Sequence, residues 1–147
     1  MRTLAIDLGS RRVGLAMSDQ GGRLATPLEV LQVASPRHAM EQVLAVIRRE
    51  SPRRLLVGVP INMDDTWGDA AREAMRWGRE LSQQAGLPVV FVDERLSSFE
   101  AEQSLAHRKR GGEKLTRKRR KQQLDAVAAA GLLQAFLDGR LGALDAT

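Results

Sequence analysis

The feature that most restricts what this chain can fold into is its opening stretch, Arg2 to Asp19, RTLAIDLGSRRVGLAMSD. Asp7 follows the apolar run Leu4, Ala5, Ile6 and precedes Leu8. An ionised carboxylate is thereby carried on or at the end of a buried strand, where an unpaired charge is costly. Gly9 and Ser10 then turn the chain, and Val13 to Met17 form a second apolar run, the pattern of a hairpin with Asp7 near its tip. Taken alone, a D-x-G is more simply a turn aspartate bonded to backbone amides. Acidic residues further along shift that balance.

Gly21 and Gly22 mark the next turn, and Leu24 to Val33 predicts a third strand, giving an antiparallel meander. Ser35 and Pro36 supply an N-cap and a first helical position, and Ala39, Met40, Val43, Leu44 and Ile47 recur at helical spacing. Leu55 to Val59 is a short continuous apolar run ended by Pro60, as expected of a buried parallel strand. A loop from Ile61 to Asp65 leads to a helix predicted over 66–84, stopped by Gly86, Leu87 and Pro88. Val89 to Val92 predicts another buried strand, ending on Asp93 and Glu94, and Ser97 with Glu100 fits a capping box that starts another helix, so the predicted order is βββαβαβα plus a C-terminal helix. A last helix is predicted over 119–137, with Gly139 as its stop.

This order predicts an α/β fold with a mixed five-stranded sheet, a three-strand antiparallel meander followed by parallel strands, flanked by helices. At 147 residues a single domain over 1–147 is expected. Right-handed crossovers would bring the carboxyl ends of the later strands to one edge, with Asp7, the loop from Pro60 to Asp64, and the pair Asp93 and Glu94.

On the final helix Asp125 shares a stripe with Ala128, Ala129, Leu132 and Phe136, which turns it towards the core. An acid favoured by the helix dipole is the simpler explanation of such a position, worth about 0.3 to 1 kcal/mol when exposed. The apolar stripe argues against it. Ala126, Ala128, Ala129, Ala130 and Gly131 would let this helix approach the sheet closely. Three inward carboxylates without histidine or cysteine make a hard-oxygen site suited to Mg²⁺ or Mn²⁺. Two such ions about 3.5 to 4 Å apart can activate water and stabilise the leaving oxygen in phosphodiester cleavage. Asp93 and Glu94 are adjacent and point in different directions, so one ligand and one structural acid are expected of them.

The net charge of +5 is concentrated rather than spread. Residues 107–121, HRKRGGEKLTRKRRK, hold 9 Lys and Arg against 1 Glu, while the 106 residues before them are nearly balanced. Either the block is a solvated loop, or Arg108, Lys109, Arg110, Lys114, Arg117, Lys118, Arg119, Arg120 and Lys121 meet a polyanion. An internal basic block with Gly111 and Gly112 reads as a mobile arm that binds nucleic acid through phosphates. Aromatics at 3% argue against extensive base stacking. The absence of cysteine excludes disulfides, thiolate zinc sites and cysteine nucleophiles. The N-terminus enters a strand without a signal-like apolar region, and the apolar stretch 126–133 is too short for a bilayer. A cytoplasmic protein with no membrane partner is expected.

The segments DLGSRRVGLAMSD, PINMDDTWG, DERLSSFEA and LDAVAAAGLLQAFLD resemble the signature segments of the YqgF/RuvX proteins, RNase H-like relatives of the RuvC junction resolvase. The resemblance covers nearly the whole chain. It implies an RNase H-like fold and metal-binding catalytic roles for Asp7, Glu94 and Asp125, deciding for Glu94 over Asp93. It also implies phosphodiester hydrolysis, in Holliday junction resolution or in maturation of the pre-16S ribosomal RNA 5′ end. A homodimer is expected from the same resemblance, since resolving a junction needs two symmetric cuts. Trp67 and Trp77 could anchor such an interface, although core burial is the simpler role. Asp65 departs from the family pattern, which usually has glycine after the Asn-Met-Asp, and that leaves the roles of Asn62 and Asp64 open. Two other readings use the same residues: a noncatalytic RNA-binding or assembly protein, and an actin-like phosphotransferase, for which a second lobe would be needed.

Overall fold

The computed structural model describes residues 1–95 and 117–144, with only the backbone of 117–124. The Ser97 and Glu100 capping box and the basic residues Arg108, Lys109, Arg110 and Lys114 lie outside the described residues. Strands β1 (Thr3–Leu8), β2 (Arg12–Ser18) and β3 (Ala25–Gln32) form the antiparallel meander. Helix α1 (Pro36–Glu50), β4 (Arg54–Val59), α2 (Asp69–Ala85), β5 (Val89–Asp93) and α3 (Arg117–Leu137) follow. The sheet order is β3-β2-β1-β4-β5, with β4 parallel to both β1 and β5. This is the expected mixed five-stranded sheet. Pro27 is tolerated because β3 is an edge strand, and the β2–β3 register shifts nearby at Leu15/Ala16.

Alternation along each strand sorts the core into two layers. Leu4, Ile6, Val13, Leu15, Leu55, Val57 and Phe91 face α1 and α2, joined by Val43, Met75 and Leu81. Ala5, Ala16, Leu56 and Val92 face α3, where they meet Ala129, Ala130, Leu132 and Leu133. The second layer is built from small residues, so α3 lies close to the sheet. Gln134 fastens it to the edge strand, accepting from the Ala25 N–H at 2.9 Å and donating to the Arg23 carbonyl at 2.8 Å.

Helix ends follow local chemistry. Ser35 Oγ accepts from the His38 N–H at 3.0 Å with Pro36 next, as an N-cap should. Gly86 and Gly139 take left-handed conformations after α2 and α3. Two boundaries differ from expectation. The second helix starts at Asp69 rather than 66, because the Thr66 N–H and hydroxyl both bond to Asp64 Oδ1, at 3.1 and 2.5 Å, and hold the chain in the loop. The last helix starts at Arg117 rather than 119, so Arg117 and Lys118, expected in the arm before it, have helical backbone like Arg119, Arg120 and Lys121. Arg, Lys and Gln are strong helix formers, and nothing from 117 to 124 breaks the pattern. Trp77 is core, 4% exposed, with its indole N–H on the Pro36 carbonyl at 3.0 Å, and Trp67 packs partly buried against the same core.

Candidate active site

The carboxyl ends of β1, β4 and β5 share one edge, and the period of two decides which side chains can meet there. Asp7 is on the same sheet face as Ala5, Gly14 and Arg12 on that of Ala16, Gly58 on that of Leu56, and Glu94 on that of Val92. All of these turn towards α3. Asp93, one residue from Glu94, turns to the opposite face.

Two glycines make the room. Gly14 pairs directly with Asp7 across β1 and β2, and a Cβ on Gly14 would lie 2.1 Å from the Asp125 carbonyl oxygen. Only a residue without a side chain lets α3 descend onto β2 at Asp125. Gly58 follows Val57, the β4 partner of Ile6, and a Cβ there would lie 3.0 Å from Glu94 Oε2. Neither glycine was singled out in the sequence, although glycine inside a strand is a signal of close approach. Gly14→Ala is therefore expected to lift α3 and destabilise the protein by about 1 to 3 kcal/mol, roughly 2 to 4 °C of melting temperature per kcal/mol at this size. Gly142→Ala, with nothing within 4 Å of the added atom, is the silent control in the same thermal melts.

Asp7 and Glu94 are hydrogen-bonded to each other through their side chains. Burial pushes Asp7 above the usual carboxylate range, the bond from Glu94 draws it back, and the charge of Asp125 raises it again. Burial, then the charge of Asp7 and their shared bond, push Glu94 up to about 9, with Asp93 adding to it. The pair thus holds one proton at neutral pH, because two carboxylates in contact in a poorly solvated trough cannot both ionise. Asp93 behaves differently. Burial alone would raise it, but Arg95 outweighs that with Nε at 3.0 Å, Nη2 at 2.6 Å and its backbone N–H at 3.0 Å, and Asp93 is held below its ordinary value. The adjacent acids therefore face apart, Glu94 towards Asp7 and Asp93 into an ion pair with Arg95.

Asp125 reaches the same edge from α3 with a partner of its own, since Arg12 Nε donates to its Oδ2 at 2.6 Å. The inward carboxylate expected at Asp125 thus has a basic partner, which meets it because Arg12 shares the α3 face of β2 with Gly14. Both side chains keep about a third of their surface exposed, 34% and 29%. Among the described residues no three acids lie together as an ion-holding group, Asp125 being bound to Arg12. The donor set nevertheless suits a divalent ion: two oxygen-only side chains already touch, in a cradle that a Cβ at Gly58 would fill, with no soft ligand nearby. Asp64 is turned to Thr66, and Asn62 Nδ2 donates to Thr66 Oγ1 at 3.0 Å, so both brace their loop.

The family model described as "RuvX: Holliday junction resolvase" matches residues 1–139. A "Putative pre-16S rRNA nuclease" of Opitutus terrae is 43% identical over 141 residues, spanning 95% of this chain and 93% of that protein. One of the same description from Anaeromyxobacter sp. strain Fw109-5 is 40% identical over 140 residues, spanning 95% and 98%. Among solved structures, Thermus thermophilus RuvC in complex with a Holliday junction substrate superimposes with a TM-score of 0.62 at 20% identity, over 98% of this chain and 99% of that one. That likeness shows the RNase H-like fold.

Proposed function

The chain belongs to the RuvX family of metal-dependent nucleases, and from that premise we propose that it hydrolyses phosphodiester bonds of structured nucleic acid with Asp7, Glu94 and Asp125 as its metal-holding carboxylates. The observation that carries this reading is the Asp7–Glu94 pair, held together at the sheet edge with Asp125 brought in over Gly14. Such a pair is poor at stability and well suited to a divalent cation, which can replace its proton. When bound, Mg²⁺ or Mn²⁺, in one site or two, supplies Lewis-acid activation of water and charge neutralisation at the leaving oxygen. The chain's own part is to release the Glu94 proton, to hold Asp7 and Glu94 in register across β1 and β5, and to free Asp125 from Arg12. An Arg12 guanidinium so released lies beside the reacting centre and can meet a phosphate oxygen. No helix among the described residues is long and apolar enough to cross a membrane, and we place the protein in the cytoplasm.

The substrates proposed are the pre-16S rRNA 5′ end and the four-way junction. Cleavage of both, of a linear duplex and of single strands by the same preparation tests the choice. Junction resolution should come with a dimeric mass in solution, because two strands are cut symmetrically; rRNA trimming does not need one. Cleavage of none of the four in Mg²⁺ or Mn²⁺ would sink the nuclease reading for this chain.

Binding is assigned to the phosphate interactions of Arg108, Lys109, Arg110, Lys114, Arg117, Lys118, Arg119, Arg120 and Lys121. Neutralising Arg117, Lys118, Arg119 and Arg120 should flatten the slope of log affinity against log salt by about 0.9 on duplex DNA and about 0.7 on single strands for every phosphate that is no longer neutralised. Cleavage should return at saturating enzyme. Circular dichroism is needed alongside, since these four residues open α3. An unchanged salt slope would make the segment a solvated surface.

A further inference from the structure

The loop between β4 and α2 is exposed from Asn62 to Thr66. Its polar side chains are engaged within the loop and with Arg95: Asn62 donates to Thr66 Oγ1 at 3.0 Å, Asp64 accepts from Thr66, and Asp65 accepts from Arg95 Nη1 at 2.7 Å. Between Ile61 and Trp67 its one large apolar side chain is Met63, 87% exposed. The loop is also rigid. Ile61 is buried in the core at one end and Trp67 packs against it at the other. Between them the Asn62 N–H donates to the Thr66 carbonyl at 3.0 Å, the Asp65 N–H donates to the Asn62 carbonyl at 2.9 Å, and Arg95 Nη1 reaches the Asn62 carbonyl at 3.0 Å. Asp65 holds a left-handed backbone, φ 69°, to close this turn. Arg95 adjoins Glu94, so the loop is tied directly to the strand end that carries the candidate acid.

We propose that Met63 is a fixed prong that touches the face of an unstacked nucleobase beside the scissile phosphate. This rests on the nuclease reading. Position supports it, because the other exposed large apolar residues among those described, Met1 and Leu24, flank the starts of β1 and β3, at the opposite edge of the sheet. Charge selects the occupant. Asp64 and Asp65 follow Met63 directly and repel a phosphate, whereas a base face is neutral and apolar. A thioether side chain is polarisable and adaptable, and suits packing against any base. The described aromatics do not compete for this role, since Phe91 and Trp77 are buried, Trp67 is packed on the core, and Phe136 lies under Arg54 at 5.0 Å.

The test uses a four-way DNA junction and a pre-16S rRNA 5′ fragment, each with 2-aminopurine placed in turn at positions flanking the cut. Binding is followed in an Asp7→Asn background, so that the strands stay intact. With Met63 present, one flanking position should brighten on binding as its base leaves the stack, and the substrate on which it brightens identifies the source of the base. Met63→Ala and Met63→Gln should lose that signal and weaken binding about fivefold, the low end of base-stacking contributions, while Met63→Leu keeps both within about twofold. Because the side chain is exposed, all three should melt like the parent. The proposal is overturned if Met63→Ala keeps signal and affinity, or if affinity falls with no Met63-dependent signal at any position. Failure of the nuclease reading looks different, since the unsubstituted protein would then cut neither substrate whatever the fluorescence does.

Discussion

Asp7→Asn is expected to lower cleavage by about three orders of magnitude, roughly 4 kcal/mol of transition-state stabilisation, with nucleic-acid affinity equal to or slightly above that of the parent. Asp7 is the one acid among the described residues that interacts with both of the others, by a side-chain hydrogen bond to Glu94 and by charge with Asp125. Asparagine keeps its size and a hydrogen bond to Glu94 but removes the charge that a divalent ion would need. Folding should not suffer, because a buried like-charge repulsion is relieved. With affinity assigned by the proposal to the basic stretch, removing one negative charge near the bound phosphates should only favour it. Single-turnover cleavage and equilibrium binding at two salt concentrations separate the two effects. Cutting at the parental rate would remove Asp7 from the mechanism, and loss of binding would place it in the substrate interface instead.

In the absence of divalent metal, the protein should lose stability as pH rises from about 5 to about 9. The sign follows from Glu94, whose carboxyl is pushed up to about 9 in the folded chain from an ordinary 4.5. Between those values the native state binds more protons than the unfolded one, so each rise in pH favours unfolding. The stabilising proton is fully present below 4.5 and is lost as pH passes 9. A melting temperature falling by something on the order of 10 °C across that window is expected, taking a few kcal/mol at 2 to 4 °C each. Glu94→Gln should abolish most of the slope and raise the melting temperature of the metal-free protein at pH 8. Millimolar Mn²⁺ should act in the same direction, by about 2.7 kcal/mol at one hundred times its dissociation constant. Its effect should grow with pH, as fewer protons compete. A flat pH profile without metal would mean that Asp7 and Glu94 do not share a proton, and an unchanged melt in Mn²⁺ would count against the proposed metal centre.

Much of the architecture was legible in the residues because it depends on local chemistry. Apolar runs of five and four residues, ended by Pro60 and by Asp93, read as buried parallel strands, and Ser35-Pro36 and Gly86 bound their helices where capping chemistry requires. The two misplaced boundaries also had local causes. Thr66 prefers the Asp64 carboxylate to a helical turn, and a basic run that repels itself in sequence is still made of strong helix formers.

What the sequence by itself determined is the βββαβαβ order with its final helix, the sheet edge on which the acids gather, the family, and the separation of acidic and basic segments. The residues by themselves left Asp93 and Glu94 open, the family resemblance favoured Glu94, and the tertiary structure decided how each is partnered. Glu94 bonds to Asp7 while Asp93 is taken by Arg95, because successive residues of a strand leave opposite faces and only the packed sheet says which face α3 covers. It also decided that Asp125 has a guanidinium partner. Arg12 and Asp125 are 113 residues apart and meet at 2.6 Å only because Gly14 lets a helix settle onto the strand that carries both Arg12 and that glycine. Spacing along a chain reports periodicity within one element. The distance between elements is set by the side chains that are missing between them.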